Sequence, residues 1–174
     1  MKRSLVVAAL FLGLTAALSG QAPVEPYSPK DGNFTVRFPG KPKESTGSTK
    51  TPLGDLSVFT ATYATSDGNI FMISYTDFPP EAAKADARDT LYDGVRDELK
   101  GKDGKVLADK AKDIGPKKLA GRDIDIERDK GKQRLRFRVV LHDGRLFQAA
   151  VIGTPKFVES KDAAAFLDSF EVTK

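Results

Sequence analysis

Apolar and polar positions along this chain follow two periods, punctuated by turn residues. Phe34, Val36 and Phe38 alternate with Thr35 and Arg37, the period of a half-buried strand, which Pro39 and Gly40 end. Residues 41–52 hold Lys, Ser, Thr, Gly and Pro without an apolar rhythm and predict a mobile loop. Leu56 to Thr65 and Ile70 to Phe78 are rich in Thr, Val, Ile, Phe and Tyr, and Ser66-Asp67-Gly68-Asn69 lies between them. Asp-Gly favours the positive φ angles of a tight turn, so these two strands should pair as a hairpin.

Pro79 and Pro80 mark a break and a helix start. Ala83, Ala87, Leu91, Val95 and Leu99 then recur at every fourth position, an apolar stripe that predicts an amphipathic helix ended by Gly101 and Gly104. Gly94 lies inside it, where close helix–sheet contact would explain its cost. Four further strands are predicted: Lys105 to Asp113, Arg122 to Arg128, Gln133 to His142 and Arg145 to Gly153. A second Asp-Gly turn, Asp143-Gly144, joins the last two. Ser160 can cap a final helix with Ala163, Phe166, Leu167 and Phe170 as its apolar face. Hairpins dominate this order, so the pattern predicts an α+β fold, a mainly antiparallel sheet of six to seven strands with helices packed against it.

The N-terminus has a different pattern. Lys2 and Arg3 precede an almost unbroken apolar run from Leu5 to Leu18, and Gly20 and Ala22 fit a cleavage site. As a helix the run would span about 21 Å, short of a hydrocarbon core of about 30 Å. Residues 1–22 therefore read as a signal peptide, 23–32 as a tether and 33–174 as a single domain. Leu18-Ser19-Gly20 resembles the start of a bacterial lipoprotein box, but Gln21 stands where the lipid-carrying Cys would be. The expectation is a soluble periplasmic or secreted product, with no membrane span once the leader is removed.

Composition narrows the chemistry. The chain has no Cys, which removes disulfides, thiolate nucleophiles and Cys–zinc sites. Its formal charge of +4 includes Lys2 and Arg3, so the processed domain is only weakly basic and no nucleic-acid partner is expected. His142, the one histidine, adjoins an Asp-Gly turn and should be exposed rather than catalytic. No Gly-x-Ser-x-Gly elbow is present, and Gly47-Ser48-Thr49-Lys50 lacks the order of a phosphate loop. Asp86, Asp89, Asp93 and Asp97 punctuate the first helix, where a solvated acidic face is the simpler reading than an oxygen-ligand cation site. Phe71, Tyr75 and Phe78 read as core before they read as a pocket lining, and Tyr63 and Tyr92 are similar. No catalytic residue, metal site or cofactor is predicted.

One constellation fixes its own geometry. Asp123, Asp125 and Glu127 alternate with Ile124 and Ile126, and Arg134, Arg136 and Arg138 alternate with Leu135 and Phe137. A short loop around Lys130-Gly131 sets Glu127 opposite Arg134, Asp125 opposite Arg136 and Asp123 opposite Arg138. A slip by one residue would set charges against apolar side chains, so both faces support one register. A cross-strand ion-pair ladder on the solvent face is expected, and an arginine stripe for an anionic partner is its rival.

With this order of elements, Phe34-Thr35-Val36-Arg37-Phe38-Pro39-Gly40-Lys41-Pro42, Tyr75-Thr76-Asp77-Phe78-Pro79 and Phe166-Leu167-Asp168-Ser169-Phe170 together resemble the PsbP/Mog1-like superfamily, small bacterial extracytoplasmic members above all. The resemblance implies an antiparallel sheet between helices, an α/β/α sandwich. It also implies a mostly non-enzymatic background: photosystem II accessory subunits and a binder of a small GTPase. The resulting expectation is a non-catalytic exported binding or accessory domain, whose partner is a protein or small ligand of the cell envelope. Arg134, Arg136 and Arg138, with Lys41, Lys43 and Lys50 of the polar segment, are the candidate contact residues. A hydrolase with a carboxylate or isolated Ser site, and a carrier of a small apolar ligand, are the alternatives.

Overall fold

The alternating segments form strands, and their turn residues pair them. The structure, a computed structural model, describes residues 25–51, 54–80, 82–84 and 87–174. The leader 1–22, its cleavage site, the first two tether residues and Asp86 lie outside the described residues. β3 (Gly54–Ala64) and β4 (Ile70–Asp77) form the first hairpin, in which Ala64 faces Ile70. β7 (Gln133–His142) and β8 (Arg145–Gly153) form another, closed by Asp143 and Gly144 at φ 47° and 80°. Positive φ at both central residues is the turn geometry that Asp-Gly favours. β5 (Lys105–Ile114) pairs with β6 (Leu119–Arg128) across a bulge between Val106 and Ala108, and β6 pairs with β7.

The segment 41–52 departs from its sequence reading. Lys43–Thr51 is a strand, β2, paired with β3 from Lys43 opposite Thr62 to Thr51 opposite Gly54. Eight of its nine residues are exposed, so it owes its order to the ladder with β3 and not to burial. The seven strands run β2-β3-β4-β8-β7-β6-β5, every neighbouring pair antiparallel. The mainly antiparallel sheet is therefore present, with β2 and β5 as its edges.

Alternation along these strands supplies two cores, one per face. Phe71, Ile73, Phe147, Ala149 and Val151 point to one face, where they meet Phe34, Phe38, Phe166, Leu167 and Phe170. Ile124, Ile126, Leu135, Phe137, Val139 and Ala150 point to the other and meet Tyr92. On the first face lie α2 (Pro155–Val158) and α3 (Lys161–Asp168). Ser160 caps α3 as expected, its Oγ accepting from the Ala163 amide at 3.2 Å, and Thr154 caps α2 in the same way at 3.3 Å. A two-residue strand, β9 (Glu171–Val172), then pairs with β1 (Phe34–Thr35), while Tyr27 bridges to Val36.

α1 (Arg88–Lys100) packs on the second face, starting later than Pro79-Pro80 suggested. Its buried side chain is Tyr92, with Val95 and Leu99 of the predicted stripe packed beside it, so the stripe holds at those two positions while Tyr92 takes the place expected of Leu91. The Tyr92 hydroxyl explains the choice: it donates to the Ala120 carbonyl at 3.0 Å and accepts from the Leu141 amide at 2.8 Å. Those two residues would form the next rung beyond Gly121 opposite Val140, where the β6–β7 ladder stops. Burial pushes the Tyr92 phenol upward in pKa, so it stays a protonated donor. Gly94 does not make the close helix–sheet contact its position suggested: it is exposed, and a Cβ there would meet nothing within 4 Å. No helix among the described residues is long and apolar enough to cross a membrane.

Candidate functional site

The register of the charged hairpin is the one the sequence dictates, with Glu127 opposite Arg134, Asp125 opposite Arg136 and Asp123 opposite Arg138. Side-chain pairing, however, runs on the diagonal. Arg134 grips Asp125 with two bonds of 2.7 and 2.6 Å, and Arg136 grips Asp123 with two of 3.0 and 2.9 Å. Diagonal neighbours lie about 7–8 Å apart, within reach of a long guanidinium. Arg138 has no acid further along to take; its Nε stays 3.6 Å from Asp123 and its terminal nitrogen reaches Asp168 at 2.6 Å.

This row does not lie on an open solvent face, as the ladder reading had it. It shares the face of α2 and α3. Arg134 also bonds Glu159, just after α2, and Arg138 bonds the last residue of α3. The guanidiniums thus fasten the α2–α3 unit to the sheet beside its apolar contacts. Arg138 is buried, and its Nε makes no hydrogen bond. Arg136 is the most open of the three at 35% side-chain exposure. It borders a concavity of about 390 Å³ lined also by Lys110, Lys112, Asp123 and Asp125. Lys110 and Lys112 escaped the sequence reading because the bulge at Val106 shifts the β5 register, which alone places Lys110 opposite Asp123.

The acidic helix face is not merely solvated. Asp93 accepts from Arg122 at 2.6 Å and from Arg96 at 2.9 Å, and both guanidiniums also reach Asp109 on β5, at 3.2 and 3.1 Å. The hydrogen bond from Arg122 holds the Asp93 carboxyl below its ordinary range, and that from Arg96 does the same for Asp97. These acids are committed to arginines. The arrangement ties α1 to β5 and β6.

The remaining candidates are scattered. Lys43 and Lys50 stand on the β2 edge and Lys41 just before it, whereas the arginines stand on β7, four strands away, about 19 Å at the usual strand spacing. The six contact residues therefore make two separate surfaces. Gly47-Ser48-Thr49-Lys50 lies within extended β2. His142 is half-buried, not fully exposed, with Nε2 3.5 Å from Asp143, beside a hollow of about 130 Å³. Phe71 and Tyr75 are core: Phe71 meets Phe157 and Phe166, and Tyr75 meets Phe34, Phe59 and Phe147. Arg145 lies 4.1 Å above the Tyr75 ring while clamping Asp77 at 2.5 and 2.8 Å. A groove of about 410 Å³ runs between α1 and β3, lined by Leu56, Val58, Phe78, Val95 and Leu99 with Thr76 and Gln148.

No protein-family model matches the chain, and no curated protein does. Among solved structures, it is similar to cyanobacterial PsbP (CyanoP) from Synechocystis sp. PCC 6803, seen in solution. The TM-score is 0.56 at 12% identity, over 92% of this chain and 99% of that one. The fold is therefore PsbP-like.

Proposed function

We propose that this chain is a non-catalytic accessory domain, exported and released in soluble form, that binds a protein of the cell envelope. The observation that carries the reading is the PsbP-like fold, which extends over nearly the whole of both chains. We read the helices on the two sheet faces as the α/β/α arrangement that the resemblance to the PsbP/Mog1-like superfamily implies. The basic N-terminal leader with its apolar run and Gln21 supports export without lipid attachment. The contact surface we assign is the concavity at Arg136, Lys110 and Lys112, where cationic groups remain open beside a rigid ion-paired floor. The lysines of the β2 edge form a second surface.

Affinity capture from the native envelope fraction tests this. The wild-type protein should retain a partner that the double variant K110Q/K112Q loses while its melting temperature is kept. Equal capture by both proteins removes the assigned surface, and the absence of any partner removes the accessory role. The apolar-carrier alternative has one observation in its favour, the groove between α1 and β3. Extraction of the purified protein with organic solvent would reveal a retained apolar molecule.

A further inference from the structure

We propose that the β2 edge is a self-pairing surface, along which a second copy of this chain adds antiparallel to join the two sheets. The two edges of the sheet differ in how they are protected. β5 carries a bulge after Val106, exposed Leu107 and three lysines, Lys105, Lys110 and Lys112. A bulge and inward or edge-borne lysines are the ordinary means of blocking strand addition. β2 has no bulge, and its register with β3 is unbroken over all nine residues. Among the described residues it pairs only with β3, so its outer row of backbone groups faces outward, and Lys43 to Lys50 are exposed.

Its sequence is complementary to itself. The five central residues, Ser45 to Thr49, are uncharged Ser, Thr and Gly. About a two-fold axis at Gly47, Thr46 falls opposite Ser48 of the second copy, Ser45 opposite Thr49, and Glu44 opposite Lys50. Each interface then contains two opposite-charge pairs, one at each end. A two-fold axis normal to the sheet keeps side chains on their own face, so only even shifts of register are open. Centring on Thr46 or Ser48 separates Glu44 from Lys50, and centring on either charged residue sets like charges together. In sequence, Pro42 and Pro52 bracket the strand, and a residue without an N–H ends a ladder. Glu44 already accepts from the Tyr27 hydroxyl at 2.7 Å, which orients its carboxylate while leaving an oxygen for a lysine. Backbone pairing of a polar edge without apolar burial makes a weak, concentration-dependent dimer, one that does not disturb the helices on either sheet face.

Sedimentation velocity over a concentration series at low salt tests this on the purified, processed protein. The wild type should show a reversible monomer–dimer equilibrium. E44K sets lysines opposite lysines and K50E sets glutamates opposite glutamates, so each should raise the dissociation constant about tenfold. The swap E44K/K50E restores both pairs and should return it to near the wild-type value. Matched melting curves show that the variants are folded, and K50E leaves the Tyr27–Glu44 bond untouched. A wild type that stays monomeric at every concentration overturns the proposal. So does a dimer indifferent to the single changes, or a swap that fails to restore it. These outcomes are read without any envelope partner, so they stand apart from the capture experiment.

Discussion

Replacing Tyr92 by Phe removes one oxygen and leaves a ring of the same shape in the same place. The ring is 1% exposed, so its apolar burial against Ile124, Phe137 and Val139 is kept. What is lost is the rung that the hydroxyl supplies between the Ala120 carbonyl and the Leu141 amide. Ala120 is exposed, so water can take over its carbonyl; Leu141 is half-buried, and its N–H is left poorly satisfied. A net hydrogen bond is worth about 0.5–1.5 kcal/mol and an orphaned buried donor costs about 1–3 kcal/mol. Together these give a loss of about 2 kcal/mol, or about 4–8 °C in Tm for a domain of this size. Urea unfolding followed by circular dichroism should show a lower midpoint with an unchanged slope, and hydrogen exchange should quicken at the Leu141 amide. A loss under about 0.5 kcal/mol, or an unchanged Leu141 amide, would refute the assigned role of the hydroxyl.

Gly94→Ala should stabilise the domain by about 0.5–1 kcal/mol, measured by the same unfolding, because the added methyl meets nothing and the helix backbone is stiffened. Arg138→Met should leave stability within about 1 kcal/mol of wild type: the tie to exposed Asp168 is lost, but a buried guanidinium whose Nε is unbonded gives way to an apolar chain while Arg136 still holds Asp123. Asp93→Asn should flatten the acid limb of the stability curve. The Asp93 carboxyl is held below its unfolded value, so its contribution is complete above the unfolded pKa, near 4, and is lost as pH falls through the lower folded one. Unfolding titrations at about pH 6 and about pH 2.5 should therefore differ less in the variant than in the wild type.

What the sequence disclosed and what it hid divide along physical lines. Asp143-Gly144 was readable because few residues accept positive φ twice in succession. The β6–β7 register was readable because charged and apolar residues alternate in step on both strands. The diagonal choice of partners was not, since it depends on sheet twist and on the reach of each guanidinium past its direct opposite. β2 was hidden because Lys-Glu-Ser-Thr-Gly-Ser-Thr-Lys-Thr has no buried face to announce it; its partner β3 makes it a strand. Tyr92 was legible as core, but its place at the centre of the helix face was not, because an every-fourth-residue rhythm selected Leu91, whereas the hydroxyl's two backbone bonds decide which face turns inward. β9 and α2 are two and four residues long, below the length at which any period shows. At the candidate site the row of arginines was legible, but its engagement by Glu159 and Asp168 was not, because those acids come from elements after β8.

The two-residue pairing of β1 with β9 ties the beginning of the described chain to its end, with the Thr173 amide donating to Asn33 at 2.9 Å. Tyr27 beside Val36 extends that seam. Topologically the domain is a nearly closed loop. Its ends could be joined by a short linker and new ones opened at Asp143-Gly144 without rethreading the sheet. The antiparallel registers carry the chain before Tyr27 towards Phe38 and the chain after Thr173 past Asn33, so a label at Lys174 leaves the seam at the opposite end from the tether. An attachment at residue 25 and one at Lys174 would therefore present different ends of the domain to whatever holds it.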